Sequence, residues 1–223
     1  MPVISFVSTK GGAGKTTSAV LLAGQIGSAG KSTVLIDADP NRPLEAWASL
    51  KPLPDSIRVV FDDSADTIVD TIEDARAQAD FVLVDLEGTA TDRVGFAIAR
   101  SDLVLIPLQP SVLDATEAAK SVKLVRRMWR VINREVPYRA LWTRVPPAIR
   151  ERTAKDIERQ FNDALIPTLP VALIERAAYR AMFSIGGTLD QLDMKDVTGL
   201  GAAKENAQRY AQAVIDVMKE KAA

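Results

Sequence analysis

Two lysines, Lys10 and Lys15, bracket the small-residue tract Gly11-Gly12-Ala13-Gly14, and Thr16 and Thr17 follow at once. Small residues let a backbone turn tightly enough for several N–H groups to converge on one anion. A lysine at the end of such a turn adds a fixed positive charge, and the hydroxyl beside it can ligate a hard cation. Three carboxylates complete the set. Asp37 and Asp39 stand in Asp37-Ala38-Asp39-Pro40, and Asp85 closes the apolar run Phe81-Val82-Leu83-Val84. These residue types suit phosphoryl transfer from a nucleoside triphosphate with a divalent metal.

Positioning them requires a particular order of elements. Val3-Ile4-Ser5-Phe6-Val7 reads as a buried strand, and Thr17 to Ala23 as the opening of a helix that ends near Gly27 and Gly30. Strand, glycine-rich loop and helix N-terminus together make an anion site. Further apolar strands are predicted at 33–37, 57–61, 81–85, 103–107 and 140–145, with a last extended piece at 168–174. Helices are expected over 44–50, 65–79, 92–100, 111–134, 150–162, 175–183 and 203–219. Alternation of this kind predicts an α/β P-loop NTPase fold. Its sheet should be mostly parallel and twisted, with about seven to eight strands and helices on both faces. No linker or internal repeat breaks the pattern, so residues 1–223 read as one domain.

Composition narrows the chemistry. The chain has neither cysteine nor histidine, which excludes thiolate nucleophiles, disulfides, iron–sulfur ligation and imidazole acid–base chemistry. That usage, with no secretory signal and no apolar run near the ~20 residues that span a bilayer, suggests a cytoplasmic protein. Charge is uneven. Residues 120–160 hold twelve Lys and Arg against four acids, so this stretch is +8 in a chain of net charge −1. Arg126, Arg127 and Arg130 fall on one predicted helix, and Arg150, Arg152 and Lys155 on the next. Such a block is a candidate DNA surface; a long helix with solvated arginines is the plainer alternative.

The tract Lys10-Gly11-Gly12-Ala13-Gly14-Lys15-Thr16-Thr17 resembles the deviant Walker A box of the ParA/MinD family of ATPases. The resemblance extends over nearly the whole chain. Asp37-Ala38-Asp39-Pro40 matches the family's Asp-x-Asp-Pro, and Phe81 to Asp85 matches its Walker B run. Leu105 to Pro110 is similar to its Ile-Pro-x-x-Pro strand exit. The overall look is that of small ParA-like partition ATPases, and Asp39 to Leu44, Arg144-Val145-Pro146 and the Glu175 to Tyr179 region also resemble the ParA-like branch of T-DNA transfer. The resemblance implies that Lys10 crosses an ATP-bound homodimer to the partner's phosphates. It implies that Lys15 holds the β/γ oxygens, that Asp39 orients the attacking water, and that Thr16, Asp37 and Asp85 serve Mg²⁺. Arg144, Ile174 and Glu175 fall where the family contacts adenine, though a core strand end would explain each equally. One departure is Asp85-Leu86-Glu87-Gly88, where many members have prolines after the acid. Glu87 could tune hydrolysis or face solvent.

The expected activity is therefore ATP hydrolysis by a dimer that binds DNA without sequence preference. A ParB-like or other partner would stimulate it, and the cargo would be a plasmid, a chromosome, a conjugative transfer complex or a protein cluster. A membrane-associated positioning ATPase of the MinD kind is the alternative. It needs a membrane-seeking C-terminal helix, whereas Tyr210, Val214, Val217 and Met218 read as core-packing.

Overall fold

The computed structural model describes residues 1–147, 166–195 and 197–220. Among these residues one parallel sheet forms from β1 (Val3–Phe6), β2 (Thr33–Ala38), β3 (Ile57–Phe61), β4 (Phe81–Leu86), β5 (Leu103–Leu108) and β6 (Tyr138–Trp142). The strand order is β3-β2-β4-β1-β5-β6. The chain runs outward from β1 in one direction and then in the other, so the loops leaving β1 and β4 lie side by side at the carboxyl edge. That crevice is where open α/β sheets bind ligands.

Alternation along the buried strands builds two cores. Ile4, Phe6, Leu35, Leu83 and Leu105 face α1 (Lys15–Ser28), α2 (Pro43–Leu50), α6 (Ala177–Ile185) and α7 (Leu200–Glu220). Val3, Val34, Ile36, Val82, Val84, Val104 and Ile106 face α3 (Ile68–Gln78), α4 (Asp92–Arg100) and α5 (Val112–Ile132). Both faces are covered, which is why the strands read as continuous apolar runs. The expected packing of the last helix holds: Tyr210, Val214 and Val217 are buried on α7, and Met218 packs against the same core.

Among the described residues the sheet has six strands rather than the expected seven or eight. Residues 168–174 run beside β6, but only as the bridges Ala140 to Thr168 and Val145 to Ile174. Ala140 N–H donates to Pro167 O and Leu173 N–H to Trp142 O, whereas Pro167 and Pro170 have no N–H to give. Leu169 N–H also reaches Ala140 O, so the segment pairs with β6 at two separate points rather than as a continuous ladder. Helix α3 begins at Ile68 rather than 65, because Asp62 holds the preceding turn through Ser64 N and the hydroxyls of Thr67 and Thr71. The helix expected over 150–162 lies outside the described residues.

Candidate functional site

The loop between β1 and α1 opens onto a cleft of about 690 Å³. Gly11, Gly12, Ala13, Gly14, Lys15, Thr16 and Thr17 form one wall of it. Gly14 is the N-cap of α1 at φ 96°, a left-handed conformation that only glycine adopts without strain. A Cβ there would also stand 3.2 Å from the side chain of Thr143. Thr143 is itself a fastener. Its Oγ1 donates to Ala13 O at 2.7 Å, and its backbone N–H to Leu108 O. Gln109 Nε2 donates to Gly12 O at 3.0 Å. The ends of β5 and β6 thus fix the loop from the side opposite α1.

Lys15 is 7% exposed at the first position of α1, beside the positive end of the helix. Thr16 Oγ1 donates to Asp85 Oδ2 at 2.6 Å. Asp85 is 1% exposed, and its other oxygen has no hydrogen-bond partner. Burial pushes its carboxyl up to about 7, against the Thr16 bond and the Lys15 charge, which pull it down. A buried carboxylate oxygen left bare beside a threonine hydroxyl is a donor set that suits a hard divalent cation. The residues present therefore fit Mg²⁺, completed by phosphate oxygens and water. Among the described residues no group of three acids forms a self-contained metal cage.

Asp37 pairs in register with Asp85 across β2 and β4, but its own contacts face another way. Its Oδ2 accepts Leu44 N–H at 2.8 Å and Glu45 N–H at 2.9 Å, at the start of α2. Burial raises this carboxyl, and the bonds from Glu45, Asp39 and Leu44 oppose the rise. Asp37 therefore anchors α2 and the turn that presents Asp39. Asp39 is half-buried in the cleft wall, where its Oδ1 accepts both Asn41 N–H and Asn41 Nδ2 at 2.9 Å. That pair of bonds fixes the carboxylate's orientation, a role of Asn41 that no sequence motif announced.

The far wall of the cleft contains Arg144, Ile174 and Glu175, together with Tyr179 and Phe183 of α6. Arg144 sits at φ 49°, and Glu175 pairs with Arg180 at 2.9 Å. Asn206 of α7 secures this wall. Its Oδ1 accepts Ile174 N–H and the Tyr179 hydroxyl, and its Nδ2 donates to Ala172 O. One polar wall and one partly apolar wall suit a phosphate chain at one end and a planar base at the other.

Glu87 does not face solvent. Arg93 Nη2 donates to its Oε1 at 2.6 Å, and Thr91 Oγ1 at 2.7 Å. Burial alone would raise this carboxyl, but the bonds from Thr91 and Thr89 and the Arg93 charge hold it below the usual glutamate range. The turn so pinned brings Gly88 against the loop: a Cβ at Gly88 would lie 3.4 Å from Gly11 N. On α5, Arg126, Arg127 and Arg130 are exposed. Arg126 is partly engaged, since it donates to the Tyr138 hydroxyl at 2.8 Å. Lys120, Lys123, Arg127 and Arg130 recur every three or four residues, one stripe along the helix. Arg150, Arg152 and Lys155 lie outside the described residues.

Sheet order, glycine loop and flanking acids together define a P-loop protein of the ParA/MinD architecture. The structure of apo McdA from Cyanothece superposes with a TM-score of 0.77 over 96% of this chain and 99% of that one, at 17% identity. MinD in the MinC:MinD cell division complex of Aquifex aeolicus gives 0.74 at 18% identity, over 97% and 96%. At such identities the likeness speaks for the fold alone. Sequence goes further: the VirC1 protein family matches residues 1–220, and the chain belongs to that family. Protein ParA of Rhizobium radiobacter is 37% identical over 220 residues, 99% of each chain. Protein virC1 of Rhizobium rhizogenes is 31% identical over 227 residues, 98% of this chain and 96% of the relative.

Proposed function

We propose that this protein hydrolyses ATP with Mg²⁺, dimerises in the ATP state, and binds DNA non-specifically on the basic face of α5. Hydrolysis releases the DNA, and the cycle segregates DNA or positions a DNA-transfer complex in the cytoplasm and on the nucleoid. One observation supports this most: Lys15, the Thr16–Asp85 pair and the Asn41-held Asp39 converge on one cleft with room for a nucleotide. Loop N–H groups and Lys15 bind the phosphates. Thr16 and Asp85, with Asp37 behind them, would hold Mg²⁺, which would supply positive charge to neutralise the phosphoryl oxygens. Asp39 holds a water in line by accepting its proton, while Asn41 keeps the carboxylate aimed. Lys10, reaching in from a partner subunit, adds positive charge where the transition state needs it. A ParB-like or other partner would set the rate.

The test is ATP turnover and DNA affinity, each measured with and without the other ligand. Lys15→Ala should lose nucleotide binding. Reversing Lys123, Arg127 and Arg130 to Glu should cut ATP-dependent DNA binding while sparing nucleotide affinity. Tight ATP binding by Lys15→Ala, or unchanged DNA binding by the reversed helix, overturns the corresponding half of the reading.

A further inference from the structure

The general P-loop pattern has a glycine five positions ahead of the Gly-Lys pair's glycine, and here that position is Thr9. Its side chain leaves the nucleotide loop altogether. Thr9 Oγ1 donates to Glu117 Oε2 at 2.6 Å, and Thr9 N–H donates to Ser121 Oγ at 3.3 Å, both on α5. Glu117 Oε1 in turn accepts Lys120 Nζ at 2.6 Å. Lys120 is the first cation of the exposed stripe that continues through Lys123, Arg127 and Arg130. The Lys120 and Thr9 bonds, with the nearby charges of Lys120 and Lys10, hold the Glu117 carboxyl below the usual glutamate range. Thr143 and Gln109 hold only the Gly12–Ala13 part of the turn from β6 and β5, so the Thr9 bridge acts on its other end.

We propose that Glu117 is a positioning residue that couples the Lys10 end of the loop to the basic face of α5. Without nucleotide, Glu117 neutralises Lys120 and so masks the head of the stripe. When the loop closes on phosphate, Thr9 moves with Lys10 and draws Glu117 along, and Lys120 becomes available to a polyanion. Linkage makes the effect reciprocal: a polyanion that captures Lys120 frees Glu117 to follow the loop, and so favours the closed loop. The inference rests on the nucleotide and DNA reading above, but its first test needs no DNA.

Hydrogen exchange of the full chain, read by mass spectrometry across residues 116–124, is compared with and without a non-hydrolysable ATP analogue and Mg²⁺. The wild type should show a nucleotide-dependent change there, and Thr9→Val and Glu117→Ala should abolish it. Glu117→Gln keeps an acceptor for Thr9 and should retain the change, so it decides the matter if the alanine variant fails to fold. The second readout is the ratio of DNA affinities with and without nucleotide. That ratio should fall about tenfold in Glu117→Ala and Glu117→Gln, mainly because DNA binding without nucleotide strengthens. No exchange response in the wild type, or an equal one in Thr9→Val, overturns the coupling whatever DNA does. A wild type that responds in exchange but binds no DNA sinks the DNA reading and leaves the loop-to-helix link standing.

Discussion

Asp85 meets two opposed demands: burial in the sheet and readiness for a cation. Its folded-state value of about 7 lies above the ordinary aspartate value of 3.8. A carboxyl raised in this way binds its proton more tightly when folded, so it costs stability above the unfolded value. The cost grows from about pH 4 and is fully present above about pH 7. Without nucleotide and metal, Asp85→Asn should therefore be more stable than the wild type at pH 8, by on the order of 2–4 kcal/mol. At pH 4.5 the difference should shrink to about 1 kcal/mol. Thermal denaturation at both pH values measures this, and an equal Tm at pH 8 would contradict it. Mg-ATP should raise the Tm of the wild type at pH 8 by more than that of Asp85→Asn, which keeps the loop and Lys15 but loses the carboxylate for the cation. Asp39 makes a separate demand, because its carboxylate is needed only for the water. Asp39→Ala should keep nucleotide affinity and lose turnover by about a hundredfold or more; wild-type turnover in that variant would remove Asp39 from the reaction.

At the scale of elements, the strand ends behind the loop decide how rigid it is. Thr143→Val keeps the shape of the β6 terminus and removes the donor to Ala13 O. An unpaired buried carbonyl costs about 1–3 kcal/mol, so nucleotide affinity should drop by about tenfold or more, as titration calorimetry would show. An unchanged affinity would mean that Gln109 alone holds the loop. These fasteners also mark what the sequence could and could not reveal. β1, the loop and α1 were legible because one strand, one turn and one helix N-terminus are contiguous, and the spacing carries the geometry. Asp85 could be picked out because it closes an apolar run, and Asp39 because it stands two residues past the acid that closes another. Thr143, Glu117 and Asn206 were not, since their partners Ala13, Thr9 and Ile174 lie 130, 108 and 32 residues away. Asp37 was read only as a metal neighbour, because its bonds to α2 follow from how that helix packs. The seventh strand was expected from apolar content at 168–174, but that segment meets β6 only at the bridges Ala140 to Thr168 and Val145 to Ile174.

At the scale of the whole molecule, the two lysines of the loop have different reach. Lys15 lines the cleft, whereas Lys10 stands at the loop entrance, outside the cleft wall and next to Glu117. Under the proposed reading, Lys10 serves a cleft it does not belong to, and hydrolysis requires two subunits face to face. Turnover per subunit should then rise with protein concentration below the dimer's dissociation constant. Mixing variants gives a sharper test. Lys10→Ala keeps an intact nucleotide cleft but cannot complete a partner's, while Lys15→Ala has lost its cleft but still offers Lys10. Each alone should be inactive. A mixed dimer brings the intact cleft of the first against the intact Lys10 of the second, so combining two inactive proteins should restore turnover. A random mixture forms at most half of its dimers as mixed pairs, each with one complete site of two, so the ceiling is about a quarter of the wild-type rate per subunit. Sedimentation in ATP would report whether the pairs form. Mixed dimers that form and stay inactive would show that Lys10 acts within its own subunit, and the protein would then be a switch closed by its own loop rather than by its neighbour.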